Sequence, residues 1–234
     1  MSKINQENEA LNYLFLFLFI YLLILKIIAY IICKKLFKKN KLLIILGPSG
    51  AGKDTLMNLI KDKHPNKFFK CVSYTTRSPR KGEKQGENYY FISKEEFQKL
   101  DSEQKIIGKF EKYGNYYGSS IELINKNISK HKDKIIYFDY NIETAKKTLE
   151  IKNLSFNYIA IVPPSIEELE KRLIGRKSEN QDSLHQRITY AKTELEMIKK
   201  ADFLNYVIEN DDLNKASSQF ESCLKKLYPG LLKS

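Results

Sequence analysis

Sulfur and imidazole are scarce in this chain of 234 residues, and the few that occur are badly placed for metal or disulfide chemistry. The three cysteines, Cys33, Cys71 and Cys223, lie far apart, so neither a paired zinc spacing nor a disulfide framework is available and a reducing compartment is the default. His64, His131 and His185 are equally scattered, none with a cysteine, aspartate or second histidine at ligand spacing, and no structural metal is expected. Internal repeats and low-complexity linkers are also missing, which excludes solenoids and flexible multi-domain strings.

What the chain has in excess is positive charge. Forty Lys and Arg against 28 Asp and Glu give a formal net charge of +12 and a pI near 9.3. Such a balance suits nucleic acid, an anionic membrane surface or a phosphorylated small molecule, although lysine used as an ordinary surface residue gives the same number. The length fits one α/β domain with an appendage.

The appendage is residues 1–41. Residues 11–33, "LNYLFLFLFIYLLILKIIAYIIC", are apolar almost throughout, and as a helix they would span about 35 Å, enough to cross a bilayer. Lys26 interrupts the run near one end, where its amine can snorkel to the interface. Lysines crowd the following stretch "KKLFKKNK" (34–41), whereas Lys3 is opposed by Glu7 and Glu9, which predicts a membrane anchor with the main domain on the cytoplasmic side. A cleaved leader addressed to an organelle, and a cytosolic protein, are the rival readings; the run is longer than a signal peptide's usual apolar core and shows no clear cleavage site.

From residue 42 the pattern changes to short apolar runs alternating with amphipathic stretches. Residues 42–46, 134–138, 157–162 and 206–209 read as buried parallel strands, and about 53–63, 142–150, 165–175, 183–199 and 212–227 read as helices. Alternation of this kind predicts an α/β three-layer core with right-handed crossovers over residues 42–230. An insert rich in tyrosine, glycine and charge, about 72–125, interrupts it, with strand-like pieces such as "NYYFIS" (88–93).

Between the first strand and first helix stands "GPSGAGKDT", residues 47–55. Gly47, Pro48, Ser49, Gly50, Ala51 and Gly52 form a tight turn whose backbone N–H groups converge on phosphate oxygens, with Lys53 reaching the outer phosphates. Asp54 stands where such loops usually carry the serine or threonine that touches Mg²⁺. Its carboxylate would hold the metal directly or through water, favour the helix N-terminus, or repel phosphate. Thr55 brings a hydroxyl one place later, about 100° further round the helix. In the insert, "SYTTRSPRKGEKQGENYYF" (73–91) and "YGNYYGSS" (113–120) supply arginines, whose rigid fork grips phosphate, and tyrosines beside flexible glycines.

Together, "GPSGAGK", "VSYTTRSPRKGE", "GNYYGS", "VPPSIEELEKRLIGR" and "ENDDL" resemble the guanylate kinase family, over residues 42 to about 230. The resemblance implies a P-loop kinase core with an inserted GMP-binding subdomain, a helical lid at 165–187, and transfer of a phosphoryl group from ATP, with Mg²⁺, to GMP. It places Ser73, Arg77, Arg80, Glu83, Tyr89, Tyr117, Ser119 and Asp139 around GMP, with Ser73 reading guanine and Arg77, Arg80, Tyr89 and Tyr117 holding its phosphate. Lys53, Arg172, Arg176 and Arg187 would neutralise the transferred phosphoryl, and Asn210 and Asp211 would face adenine. Nucleic acid is not an expected partner.

Three positions depart from the family pattern. Gly108 occupies the place of a glutamate that accepts hydrogen bonds from guanine, Tyr137 that of an aspartate near the metal, and Asp54 that of the loop hydroxyl. A weakened or inactive guanylate-kinase-like interaction module, tethered to a membrane, is therefore the rival function.

Overall fold

The computed structural model describes residues 17–28, 41–80, 82–112, 114–175 and 181–232. The chain divides into two units, Met1–Lys39 and Asn40–Ser234. In the first, residues 17–28 form a helix, α1, whose large apolar side chains are exposed, Phe17 at 69%. The transmembrane helix expected over 11–33 is thus described for twelve residues, about 18 Å. Its flanks at 11–16 and 29–33, like the lysine-rich linker to residue 40, lie outside the described residues. Among the described residues no helix is long and apolar enough to cross a membrane.

The second unit is built on a five-stranded parallel sheet in the order β2-β7-β1-β8-β9, with β1 at Leu42–Leu46, β2 at Phe68–Lys70, β7 at Ile135–Tyr140, β8 at Phe156–Val162 and β9 at Tyr206–Glu209. Strand β1, "LLIIL", is buried at every position because helices cover both faces of the sheet. Its side chains alternate between two cores. Leu43 and Ile45 pack with α2 (Lys53–Lys63) and α8 (Leu213–Leu227) through Leu56, Met57, Ile60, Phe220 and Leu224. Leu42, Ile44 and Leu46 pack with Phe138, Tyr158 and Ile198 on the other face. The Tyr228 hydroxyl, just past α8, donates to the Leu42 carbonyl at 2.8 Å. Glu221 of α8 accepts from His64 at 3.0 Å, Lys63 at 3.2 Å and Lys225 at 2.9 Å, joining α8 to the end of α2.

Strand β7 runs two residues further than its apolar pattern suggests, because Asp139 and Tyr140 still pair with Ile45 and Leu46 of β1. That extension carries both residues to the C-terminal edge of the sheet, where the crevice of such folds lies. Helix α5 (Ile142–Lys147) gives way to a single 3-10 turn at Thr148–Glu150. Helices α6 (Ile166–Ile174) and α7 (Gln181–Lys199) pack through Leu169, Leu173 and Ala191, with Leu184 and Ile188 alongside.

The insert is a second sheet of four strands in the order β4-β3-β6-β5: β3 at Tyr74–Thr75, β4 at Tyr90–Phe91, β5 at Ile106–Lys112 and β6 at Asn115–Ser120. Helix α3 (Lys94–Ser102), capped by the Ser93 hydroxyl accepting from Glu96 N–H at 3.0 Å, is not among the helices expected from sequence. Nor was α4 (Ile121–Lys130), which starts inside the expected insert and is capped by Ser120. The β5–β6 ladder slips between Ile107 and Phe110, the mark of a β-bulge, with Gly108 at φ 63°.

Candidate active site

The phosphate loop leaves β1 and enters α2 at Lys53, with Gly52 as N-cap. It is hemmed in by backbone and core. A Cβ on Gly47 would stand 2.0 Å from the Ile161 carbonyl oxygen, and one on Gly52 would stand 2.2 Å from Asn210 Nδ2, so neither position admits a side chain. Asn210, buried, donates from that nitrogen to the Ala51 carbonyl at 2.9 Å and braces the loop from β9. The Lys53 amine donates to the carbonyls of Gly47 at 2.6 Å and Pro48 at 3.3 Å, and lies 3.7 Å from Asp139 Oδ1.

One cavity of about 590 Å³ joins this loop to the insert. Gly47, Ser49, Gly50, Gly52, Lys53 and Asp54 line one side, and Arg77, Arg80, Glu83, Tyr89 and Tyr117 the other, with Asp139 and Arg187 also on the wall. Arg77 is fixed there by two parallel bonds to Glu83, Nη1 to Oε2 and Nη2 to Oε1, each 2.9 Å, while Glu83 also accepts from Arg80 N–H at 2.7 Å. These bonds, Arg77's foremost, hold the Glu83 carboxyl below its usual range. The Arg77 guanidinium also sits 5.6 Å from the Tyr89 ring centre and 5.7 Å from that of Phe91. Burial, helped by the Asp139 charge, pushes the Tyr89 phenol up to about 12.

At the other end of the insert face the groups are neutral. The Tyr140 hydroxyl donates to Ser119 Oγ at 2.5 Å, and Ser119 Oγ lies 2.8 Å from Ser73 Oγ. Tyr140 lines the cavity; Ser73 and Ser119 reach it only through this cluster. Phe110 stacks on Tyr117 with ring centres 4.9 Å apart and planes at 13°.

Other residues singled out in the sequence lie elsewhere. Arg172 donates from Nε to Glu168 Oε1 at 3.0 Å and from Nη2 to the Asn210 carbonyl at 2.9 Å, and is not on the cavity wall. Asp211 accepts from Asp212 N–H at 2.7 Å; Thr55 is exposed on α2; Pro48 and Ala51 contribute loop backbone. Arg176 lies outside the described residues. Conversely, Phe110, Asn115, Tyr140, Asn141 and Glu194 line the cavity without having been singled out. The position of Tyr140 and Asn141 just after Asp139, at the C-terminal end of a parallel strand, was a usable signal. Phe110 and Glu194 belong to no short motif.

Tyr137, which replaces the metal-side aspartate, is buried, and its phenol is raised to about 12 by that burial and then by the charges of Asp54 and Asp139. Among the described residues no three His, Cys, Asp or Glu side chains gather to hold a metal unaided. Asp54 nevertheless presents a carboxylate on the cavity wall beside the phosphate loop, an oxygen donor that fits a hard cation already carried by a polyphosphate.

A parallel sheet feeding a phosphate loop, across one cavity from an arginine-bearing insert, defines a P-loop kinase with two phosphorylated substrates. The sequence model described as guanylate kinase matches residues 39–227. Guanylate kinase of Schizosaccharomyces pombe is 40% identical over 189 residues, covering 80% of this chain and 91% of that protein. The guanylate kinase of Halalkalibacterium halodurans is 36% identical over 185 residues, covering 79% and 87%. The crystal structure of guanylate kinase from Anaplasma phagocytophilum superposes with a TM-score of 0.59 at 28% identity, over 80% of this chain and 86% of that one. The chain belongs to the guanylate kinase family.

Proposed function

We propose that this chain is an ATP-dependent guanylate kinase, converting ATP and GMP to ADP and GDP. The observation that carries the reading is the single cavity bounded by Lys53 and the glycine loop on one side and by the Arg77–Glu83 clamp on the other. It gives each substrate's phosphates their own cationic anchor and faces the two anchors towards each other.

In this reading Arg77, Arg80, Tyr89 and Tyr117 hold the GMP phosphate, and one of its oxygens attacks the γ-phosphorus as the bond to the ADP oxygen breaks. The loose transition state needs alignment and charge neutralisation more than a base. Lys53 and Arg187, both on the cavity wall, supply charge at the transferred group, with Asp139 Oδ1 3.7 Å from the Lys53 amine. Asp54 is the residue we assign to the Mg²⁺ that would accompany ATP, where the metal would offset negative charge on the phosphates. Arg172, bonded to Glu168 and to the Asn210 carbonyl, ties the α6 lid to the loop brace. Arg176 is assigned to the transferred phosphoryl on sequence grounds. Asp211, next to Asn210, is assigned to the adenine side.

The exposed apolar face of α1 supports the further reading that residues 11–33 attach the enzyme to a membrane, with residues 42–230 on the cytoplasmic side. Alkaline carbonate extraction of membranes from expressing cells tests it: an anchor stays in the pellet, and release into the supernatant removes the reading.

The activity itself is tested on the full chain by coupled ADP release with ATP, Mg²⁺ and GMP, beside AMP. GMP-dependent turnover is expected. A folded protein that binds GMP without turnover would replace the kinase by the interaction-module reading.

A further inference from the structure

Helix α7 turns one stripe of residues towards the rest of the domain: Arg187, Ala191, Glu194 and Ile198, at helical spacing. Two of them are apolar anchors. Ile198 is buried in the core with Leu42, Ile44 and Phe138, and Ala191 packs on Leu169 and Leu173 of α6. Arg187 and Glu194, both half-buried, reach the wall of the nucleotide cavity.

Around Glu194 the helix is not held by packing. A second cavity of about 190 Å³ opens there, its walls including Phe110, Asn141, Ile142, Thr193, Glu194 and Met197. Beside this gap Glu194 accepts from Ile142 N–H at 3.2 Å. Ile142 opens α5, and the first N–H groups of a helix have no acceptor within it. The Asn141 side chain takes that of Thr144 at 2.8 Å, and Glu194 takes that of Ile142. The bond thus ties α7 to the end of β7, the strand that brings Asp139 and Tyr140 to the cavity.

Apolar contact is non-directional, whereas a hydrogen bond weakens steeply away from its preferred angle. Residues 187 and 194 are separated by about 700° of helical turn, so they share a face within about 20° and lie about 10 Å apart along the axis. Holding the Glu194 carboxylate on Ile142 N–H therefore sets the rotation of α7 about its own axis, and with it the direction in which Arg187 leaves the helix.

Resting on the kinase reading above, we infer that Glu194 is a positioning residue for phosphoryl transfer: through its bond to Ile142 N–H it aims Arg187 at the transferred group. The role is played through Arg187 and requires an acceptor oxygen rather than a negative charge.

The test is steady-state kinetics on the full chain with ATP, Mg²⁺ and GMP. It compares the native protein with Glu194→Ala, Glu194→Gln, Arg187→Ala and the double variant of Glu194→Ala with Arg187→Ala, and melts each by circular dichroism. Glu194→Ala should lower kcat about 10- to 100-fold, as a misplacement of about 1 Å does, with KM for both substrates moving about threefold or less. Glu194→Gln keeps the acceptor and should hold kcat within about threefold of native. With Arg187 already removed, Glu194→Ala should cost about threefold or less, because both changes remove the same contribution. Glu194→Met keeps the bulk without the acceptor; it replaces Glu194→Ala, with the same expectation, should that variant melt below the assay temperature. A full kcat in Glu194→Ala, a Glu194→Gln as slow as Glu194→Ala, or losses that multiply in the double variant overturns the inference and leaves the kinase reading standing. Absence of GMP-dependent turnover in the native protein overturns the two together.

Discussion

The two ends of the cavity are built on opposite principles. At the phosphate end, position is set by the backbone: glycines with no room for a Cβ, an asparagine bracing the loop, and charges locked by bonds of 2.6 to 2.9 Å. At the other end, position is set by neutral groups, a hydroxyl network joining Tyr140 of β7, Ser119 of β6 and Ser73, and two stacked rings. The phosphate end offers fixed charged donors, whereas the other end offers aromatic faces backed by a buried hydroxyl network. Power and selectivity are thereby separable in one pocket, and each end is open to change without the other.

The largest expected effect tests that separation. Lys53→Ala removes charge at the transferred group and should lower kcat by about 10³-fold while leaving the calorimetric Kd for GMP unchanged. Arg77→Ala leaves Glu83 without its main partner and should raise KM for GMP by about 10- to 100-fold, measured beside an unchanged KM for ATP. Asp54→Ser should lower activity rather than restore a family norm, and should weaken Mn²⁺ bound with ATP by about tenfold, read by electron paramagnetic resonance. An increase in activity would remove Asp54 from the metal.

The smallest effect lies away from both ends. Glu221 is held at about 2, chiefly by Lys225 and then by His64 and Lys63. A carboxyl lowered on folding stabilises fully above its ordinary value near 4.5 and ceases to do so as pH falls towards 2. Glu221→Gln should cost about 1 kcal/mol at neutral pH, screened as it is by solvent, and almost nothing at pH 2, by denaturant titration at the two values. Nucleotide kinetics should not change.

The same contrast governs what could be read from the sequence. Four strands of the core and helix α2 were legible because a buried parallel strand is uniformly apolar and a glycine loop with lysine marks the strand-to-helix turn. Charged anchors such as Arg77 and Lys53 stood out because cations beside glycine or a Ser-Pro turn have few other uses. Tyr140, Phe110 and Glu194 did not, since a tyrosine after an aspartate or a phenylalanine on a short strand looks like ordinary packing until the sheets are assembled. Helices α3 and α4 were missed although α4 places Ile121, Ile124 and Ile128 at helical spacing, because both fall within or against the tyrosine- and glycine-rich insert, whose strand-like pieces dominate the pattern. The end of β7 was set by its ladder to β1, a long-range contact that local apolar pattern does not record.

The hydrogen bond from Tyr228 to Leu42 joins residues 186 positions apart, and β1 lies between β7 and β8, both made long after it. The phosphate loop's supporting strand is therefore among the first parts of this unit to leave the ribosome and among the last to acquire all its neighbours. The nucleotide site is therefore complete only once β9 and Asn210, the brace of the phosphate loop, have been made.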